Sequence, residues 1–189
     1  MADRSVRPAR PDDLGGLVSV QRSVATALGL ATEAESEALL ARWQHVLALR
    51  EPPLVLVALE GPLVVGMGLA DRVRDDPATA ESTADSTADS TADSTGKPPQ
   101  IAELLELGVL PGRRLLGHGS RLLTALADHA REAGADGLLA WVPEQADLLA
   151  AFLAGAGWDP DGASRVLADE AGAELTEARW RTWFDNDVA

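Results

Sequence analysis

Cysteine and tyrosine are both absent from the 189 residues of this chain. Without cysteine the protein can form no disulfide, no thiolate nucleophile and no cysteine metal ligand. The three histidines, His45, His118 and His129, show no ligand spacing, so we expect no metal. The longest apolar runs, 53–59 and 62–70, are far too short to span a membrane. The first residues contain no apolar signal region, so we expect a cytoplasmic protein.

Positive charge is also scarce, since thirty acidic residues face sixteen basic ones and the net charge is −14. A chain this acidic repels nucleic acid and anionic membranes, so neither is an expected partner. The charge favours cationic small molecules or basic peptides, although it equally serves plain solubility. The excess of arginine over lysine, with many alanines and leucines, is typical of a bacterial gene rich in G and C.

The length and the hydrophobic content of 46% suffice for one core, so we predict a single domain over residues 1–189. Residues 73–99 form an acidic insertion around the repeat ESTADSTADSTADST, which has no bulky apolar residue. Such a segment cannot offset the entropy cost of ordering, and we predict that it is disordered. It is either inert or a site of phosphorylation or partner contact.

Hydrophobic periodicity outside the insertion alternates between strands and helices. We predict strands at 5–10, 54–59, 63–70, 100–110, 136–142, 164–169 and 174–184, and helices at 11–28, 33–50, 117–134 and 144–157. Asp12 or Asp13 is the predicted N-cap of the first helix. This order indicates a mixed α/β sheet in which 100–142 forms a parallel strand–helix–strand crossover.

The stretch RLLGHGS, residues 114–120, joins a strand to a long helix. Its glycines let the backbone approach a ligand closely, and the first N–H groups of a helix lack acceptors within it. Arg113 and Arg114 add positive charge and Ser120 adds a hydroxyl, so the junction predicts an anion site. The pattern alone also fits an ordinary turn, because Leu122 replaces the third glycine of the dinucleotide fingerprint and no Walker lysine follows.

The longer segment LGVLPGRRLLGHGSRLL resembles the acetyl-CoA motif of the GNAT superfamily of N-acetyltransferases, in which Val-x-Pro precedes Arg/Gln-x-x-Gly-x-Gly/Ala. Val109, Pro111, Arg114, Gly117 and Gly119 occupy the matching positions. AFLAGAGWDPDG is similar to the family's FYxxxGF segment, and SVRPARPDDLGGL to its first strand and helix. The resemblance implies a GNAT-like fold: a mixed, mostly antiparallel central sheet with flanking helices and a splayed pair of parallel strands.

The resemblance further implies that acetyl-CoA binds as co-substrate between the parallel strands, 101–110 and 137–142. Its pantetheine would pair with the backbone of Leu107, Gly108 and Val109. Its pyrophosphate would lie beside Arg114 on the N–H groups of Leu115, Leu116, Gly117, His118, Gly119 and Ser120. The side chain of His118 would point away from the phosphates, and no metal is implied.

Acetyl transfer to an amine requires the neutral amine, so a base is useful near neutral pH. The strand at 100–110 carries Glu103 and Glu106, which strict alternation would direct to opposite faces. Glu103 stands where the family's strand-borne glutamate base lies, so the resemblance implies that it accepts the proton through a water molecule. Glu106 is the second candidate. The N–H of Val109 would polarise the thioester carbonyl, as in the family.

The family's usual general acid is the tyrosine of the FY pair, and the matching residue here is Leu153. Either the thiolate leaves without an acid, since a thiol has a pKa of about 8.5, or the domain binds acyl-CoA without turnover. A third hypothesis is an α/β protein whose glycines are purely structural, with the long acidic loop as its working part.

The acceptor is expected to be a primary amine on a small cationic molecule or a peptide N-terminus. Helices 11–28 and 33–50 and the last hairpin would wall its pocket. Trp43, Trp180 and Trp183 would either line that pocket or fill the core. Exposed strand edges permit a homodimer.

Overall fold

The computed structural model describes residues 4–27, 36–50, 52–71, 74–75, 98–168, 172 and 174–184. The chain divides into two compact units, residues 1–71 with 104–126 and residues 72–103 with 127–189. Two of the three boundaries fall inside one strand and one helix. The predicted disorder concerns mainly residues 76–97, which lie outside the described residues. The single domain stays a prediction.

The described residues contain strands β1 Arg4–Pro8, β2 Leu54–Glu60, β3 Leu63–Ala70, β4 Arg74–Asp75, β5 Gln100–Val109, β6 Gly137–Pro143, β7 Asp159–Ala168 and β8 Glu174–Trp183. The helices are α1 Leu14–Ala27, α2 Ser36–Ala48, α3 His118–Glu132 and α4 Asp147–Ala154. The predicted order of strands and helices is confirmed, and β4 is added to it inside the predicted insertion. None of these helices is long and apolar enough to cross a membrane.

In the first unit, β1, β2, β3 and the later part of β5 form an antiparallel sheet in that order. Helices α1 and α2 pack on this sheet through a shared apolar core. Its buried members are Leu17, Val20, Trp43, Val55, Val57, Leu59, Val64, Met67 and Leu69. Trp43 is fully buried, so of its two predicted roles the structure gives it the place in the core.

In the second unit, the first residues of β5 lie between β4 and β6, and β6 is followed by β8 and β7. Asp136, just before β6, donates its N–H to the carbonyl of Gln100, the first residue of β5, over 2.7 Å. Both strands therefore begin at the same end and run parallel. The other pairs in this unit are antiparallel. The sheet is mixed and mostly antiparallel, as predicted.

Two predicted elements of the second unit have wrong boundaries. The strand predicted at 164–169 begins already at Asp159, and its register against β8 shifts between Pro160 and Ser164. This irregularity hides the alternation by which a strand is recognised. The helix predicted at 144–157 is shortened at both ends to α4, and it starts later because the N–H of Glu144 is bound to the carbonyl of Thr176 over 3.0 Å.

The predicted N-cap of the first helix is also wrong. A 3-10 turn, Pro11–Asp13, precedes α1. The carboxylate of Asp13 accepts the N–H of Arg10 at 2.7 Å and the guanidinium of Arg7 at 2.6 and 2.9 Å. The Asp13 carboxylate therefore binds residues that precede the helix, and it stabilises the connection from β1 to α1.

Candidate functional site

The strand β5 carries one extra residue relative to β3. Leu104 and Glu106, two positions apart, pair with the consecutive residues Ala70 and Leu69. Such a bulge interrupts the alternation of side chains along a strand. The prediction that Glu103 and Glu106 point to opposite faces depended on unbroken alternation, and it no longer follows.

The backbone N–H and carbonyl groups at the end of β5 point alternately to the two edges of the strand. Leu110 donates its N–H to the carbonyl of Val65 on β3 over 2.9 Å. In an antiparallel ladder, hydrogen-bonded and non-bonded pairs alternate. Leu107 and Val109 therefore direct their N–H and carbonyl groups away from β3, whereas Gly108 directs its own towards β3. Of the three residues predicted to pair with pantetheine, Leu107 and Val109 present backbone groups at the edge opposite β3.

The absence of a side chain at Gly108 allows α1 to pack closely on β5. A Cβ atom on Gly108 would lie 2.6 Å from Cγ2 of Val24 and 3.4 Å from Cγ1 of Val20, both on α1. A side chain at this position would push α1 off the strand. The glycine therefore sets the distance between α1 and β5.

The connection from β5 to α3 contains two residues in the left-handed region. Leu115 has φ of 60° and Gly117 has φ of 82°. Glycine adopts this conformation readily, but for leucine it costs about 1–2 kcal/mol. The Leu115 side chain is fully exposed, so its own packing does not offset that cost. Strain of this kind concentrates at ligand sites.

The N–H groups at the start of α3 are directed out of the helix. The helix begins at His118, so its first N–H groups have no acceptor within it. The N–H of Arg121 binds the carbonyl of Gly117 over 3.2 Å. Arg114 is exposed beside these groups in the chain, and the helix dipole adds partial positive charge. The turn at 114–120 is therefore complementary to an anion.

Neighbouring strands brace this turn. Arg4 on β1 donates to the carbonyl of Leu116 over 3.2 Å. Arg113 lies 2.7 Å from Glu60 on β2, and Arg4 lies 3.7 Å from the same carboxylate. Glu60 thus offsets the charge of Arg113, so Arg113 contributes less free positive charge than predicted.

The side chain of His118 lies in the interior of the first unit, with 1% of its surface exposed. Neither ring nitrogen has a hydrogen-bond partner among the described residues. Burial lowers the pKa of His118, and the positive charges of Arg4, Arg121 and Arg113 lower it further against the opposing effect of Glu60. The imidazole is therefore neutral at pH 7.

A polar network ties β5 to both α1 and α2. The amide nitrogen of Gln21 donates to both carboxylate oxygens of Glu106 at 2.8 Å, and Arg42 Nη2 donates to Oε1 at 2.7 Å. The indole N–H of Trp43 donates to Gln21 Oε1 at 2.8 Å. We call this set the Glu106 network: Gln21, Arg42, Trp43 and Glu106.

Two opposing effects act on the pKa of Glu106. Burial is the larger and raises it, while the charge of Arg42 and its hydrogen bond lower it. The net direction is upward. The hydrogen bonds of the network favour the ionised form, but burial outweighs them.

The remaining predicted residues belong to the second unit. Glu103 is buried, with 9% of its surface exposed, and Leu153 on α4 is completely buried. Trp180 is half-buried and Trp183 is exposed. The first unit thus contains Glu106, residues 107–109 and the turn, and Glu103 and Leu153 lie in the other unit.

Sequence reasoning missed Gln21 and Arg42. They lie 85 and 64 residues before Glu106, the carboxylate they bind. No local pattern links residues so far apart, and only the packing of α1 and α2 on β5 joins them. Within the described residues no group of three or more histidine and acidic side chains could hold a metal ion.

A model of the acetyltransferase (GNAT) family matches residues 22–156, well over half of the chain. No curated protein sequence matches this chain significantly.

Solved structures share the fold along almost the full length of the chain. Ribosomal-protein-alanine N-acetyltransferase from Brucella melitensis is 20% identical, with a TM-score of 0.66 over 95% of this chain and 99% of that one. PaiA N-acetyltransferase from Thermoplasma acidophilum, solved with coenzyme A, is 16% identical, with 0.66 over 96% and 99%. NAA60 from Arabidopsis thaliana, solved with acetyl-CoA, is 13% identical, with 0.69 over 97% and 100%. At these identities the likeness establishes the fold.

Proposed function

Because the chain belongs to the acetyltransferase (GNAT) family, we propose that it transfers an acetyl group from acetyl-CoA to a primary amine. The observation that carries this proposal is the turn at 114–120. Left-handed Leu115 and Gly117 there precede the start of α3, and Val109 at the end of the preceding strand directs its N–H away from β3. One short segment thus offers donors for a phosphate and a donor for a carbonyl.

Acetyl-CoA supplies the activated thioester in this proposal. Its pyrophosphate contacts the N–H groups from Leu115 to Ser120, beside Arg114, and its pantetheine pairs with Leu107 and Val109. A Cβ on Gly117 would lie 3.6 Å from Nη1 of Arg121, so a guanidinium lies beside the turn where the phosphate would bind. The acetyl-CoA and coenzyme A bound in two of the similar structures support this choice of co-substrate.

The chemistry is a direct attack of the amine on the thioester carbonyl. The carbon–nitrogen bond forms, the carbon–sulfur bond breaks and coenzyme A leaves. The N–H of Val109 stabilises the negative charge that develops on the carbonyl oxygen. Glu103 receives the proton of the amine through a water molecule, with Glu106 as the second candidate for that role.

A second candidate function is a domain that binds acyl-CoA without turnover. It is favoured by the leucine at position 153, which is fully buried and cannot donate a proton. The absence of tyrosine from the whole chain leaves no other phenol for the task. A thiolate can nevertheless leave without an acid, so we prefer the enzyme.

The proposed acceptor is a small amine or a peptide N-terminus, whose ammonium group suits a chain with a net charge of −14. Nucleic acid and membrane are not proposed as partners, and a homodimer stays a prediction. So do the cytoplasmic location and the bacterial origin.

Two measurements test the proposed function. Acetyl-CoA should raise the melting temperature, because a ligand that binds only the folded state stabilises it. Release of free thiol in the presence of a panel of amines should then exceed release without amine. Stabilisation with no amine-dependent thiol release would favour the binding domain, and no stabilisation at all would contradict both functions.

A further inference from the structure

The Glu106 network fixes the orientation of the Gln21 amide. An indole N–H can only donate, so the oxygen of Gln21 must face Trp43 and its nitrogen must face Glu106. Both oxygens of Glu106 therefore accept hydrogen bonds, and Oε1 accepts a second from Arg42. These three hydrogen bonds favour the ionised carboxylate, against the opposing effect of burial, and they leave one acceptor site on Oε2 unused.

Arg42 is the exposed end of this network. Its side chain is 51% exposed, against 21% for that of Glu106. A guanidinium has five N–H donors, and the hydrogen bond described at Arg42 uses one of its nitrogens. Its Cζ lies 5.9 Å from the centre of the buried Trp43 ring. Glu106 thus holds a guanidinium that still has donors accessible to a ligand.

The position of the network links it to the acceptor. Glu106 directly precedes residues 107–109, where the proposed function locates the pantetheine and, at Val109, the thioester carbonyl. A chain with a net charge of −14 repels a carboxylate unless a local cation offsets that charge. A guanidinium anchored at one end is suited to that task, because its planar donor pairs match the two oxygens of a carboxylate.

We propose that Arg42 binds a carboxylate of the acceptor and that Glu106 is the positioning residue that holds Arg42 in place. The acceptor is then an amine that also carries a carboxylate, such as an amino acid. This inference rests on the proposed function and narrows its substrate class.

The test compares pairs of acceptors that differ only by the carboxylate: alanine with ethylamine, phenylalanine with phenethylamine, and lysine with cadaverine. With the parent protein, kcat/KM from thiol release should be about tenfold higher for the carboxylate-bearing member of at least one pair. Arg42→Gln should remove that preference by raising KM for this member alone. Arg42→Lys, which keeps the charge and loses the planar fork, should retain part of it.

The matched control is Arg22→Gln, which removes an exposed arginine from α1 outside the network. It should leave the preference intact. Glu106→Gln should raise KM for the carboxylate-bearing acceptor more than for its partner, and Glu106→Asp should restore part of the affinity. Loss of the ascending limb of the pH profile in Glu106→Gln would make Glu106 the base and overturn the inference. An equal effect of Arg42→Gln on both members would also overturn it.

A binding measurement separates this inference from the proposed function. Calorimetry with the protein saturated by coenzyme A reports acceptor affinity without turnover. Suppose that no amine releases thiol, but the amino acid binds more tightly than its decarboxylated partner and Arg42→Gln removes the difference. Then the proposed acetyl transfer is contradicted and the carboxylate site is supported. Equal affinity within every pair contradicts the carboxylate site whatever the catalytic result.

Discussion

The carboxylate of Asp13 accepts two hydrogen bonds from the guanidinium of Arg7, at 2.6 and 2.9 Å, just before α1 begins. The hydrogen bond from Arg7 is the main cause that lowers the pKa of Asp13, and the backbone N–H of Arg10 adds to it against the opposing effect of burial. The pair fixes the entry into α1, the helix that carries Gln21.

Asp13→Asn should therefore lower the free energy of unfolding at pH 7 by about 1–2 kcal/mol, because Arg7 loses its charged partner. The pKa of Asp13 is depressed in the folded state, so its contribution is present above its ordinary value of 3.8 and is lost as the pH falls below it. Urea unfolding of parent and variant should show a gap that narrows towards pH 3. Asp12→Asn, at an exposed neighbour, is the control and should leave stability unchanged.

His118 gives a second dependence of stability on pH. Its pKa is lowered in the folded state, so below its ordinary value of 6.5 the unfolded chain binds a proton that the folded chain excludes. Stability should therefore fall as the pH drops from about 7 towards the lowered pKa. His118→Leu should flatten this slope and raise stability by about 1 kcal/mol, because two unpartnered buried nitrogens are removed.

The control for His118 is His129→Leu, since the side chain of His129 is 46% exposed. A slope that flattens in His118→Leu and not in His129→Leu would identify the buried imidazole as its cause. If His118→Leu keeps the slope of the parent, a different group causes the loss of stability in acid.

The parts of this fold that the sequence predicts are those with a strong local signal. The turn before α3 is marked by two glycines between an apolar strand and an amphipathic helix, and both elements lie where periodicity puts them. By contrast, the bulge in β5 leaves no trace in a run of apolar residues and glutamates. The alternation rule therefore gives no basis for placing Glu103 and Glu106 on opposite faces.

The polar contacts of the candidate site were not predictable for a related reason. Gln21 and Arg42 look like ordinary polar positions of two amphipathic helices. Their function depends on the packing of α1 on Gly108 and of Trp43 in the core, which brings three separate segments to one carboxylate. The N-cap prediction for Asp13 failed for a local reason. The guanidinium of Arg7 binds the carboxylate that would otherwise cap the helix.

Gly117→Val should abolish the stabilisation of the protein by acetyl-CoA. The native φ of 82° disfavours a β-branched residue, and its side chain would occupy the space over the N–H groups of the turn. Gly112→Ala is the matched control, since nothing lies within 4 Å of a Cβ there and its φ is not positive. Thermal unfolding with and without acetyl-CoA measures both. Undiminished stabilisation of the valine variant would contradict the phosphate role of the turn.

The last prediction concerns proton transfer in a protein that has a buried leucine at position 153 and no tyrosine. If Glu103 is the base and no side chain acts as acid, kcat/KM should rise with pH to a plateau and should not fall again in alkali. Glu103→Gln should lower kcat by about 10²–10⁴, the usual range for general base catalysis, and leave the affinity for acetyl-CoA nearly unchanged. Assays of thiol release with one amine from pH 6 to 10 measure kcat and kcat/KM. Calorimetry with acetyl-CoA measures its affinity. A descending alkaline limb that neither substrate explains would reveal an acid other than tyrosine, and full activity of Glu103→Gln would remove Glu103 from the mechanism.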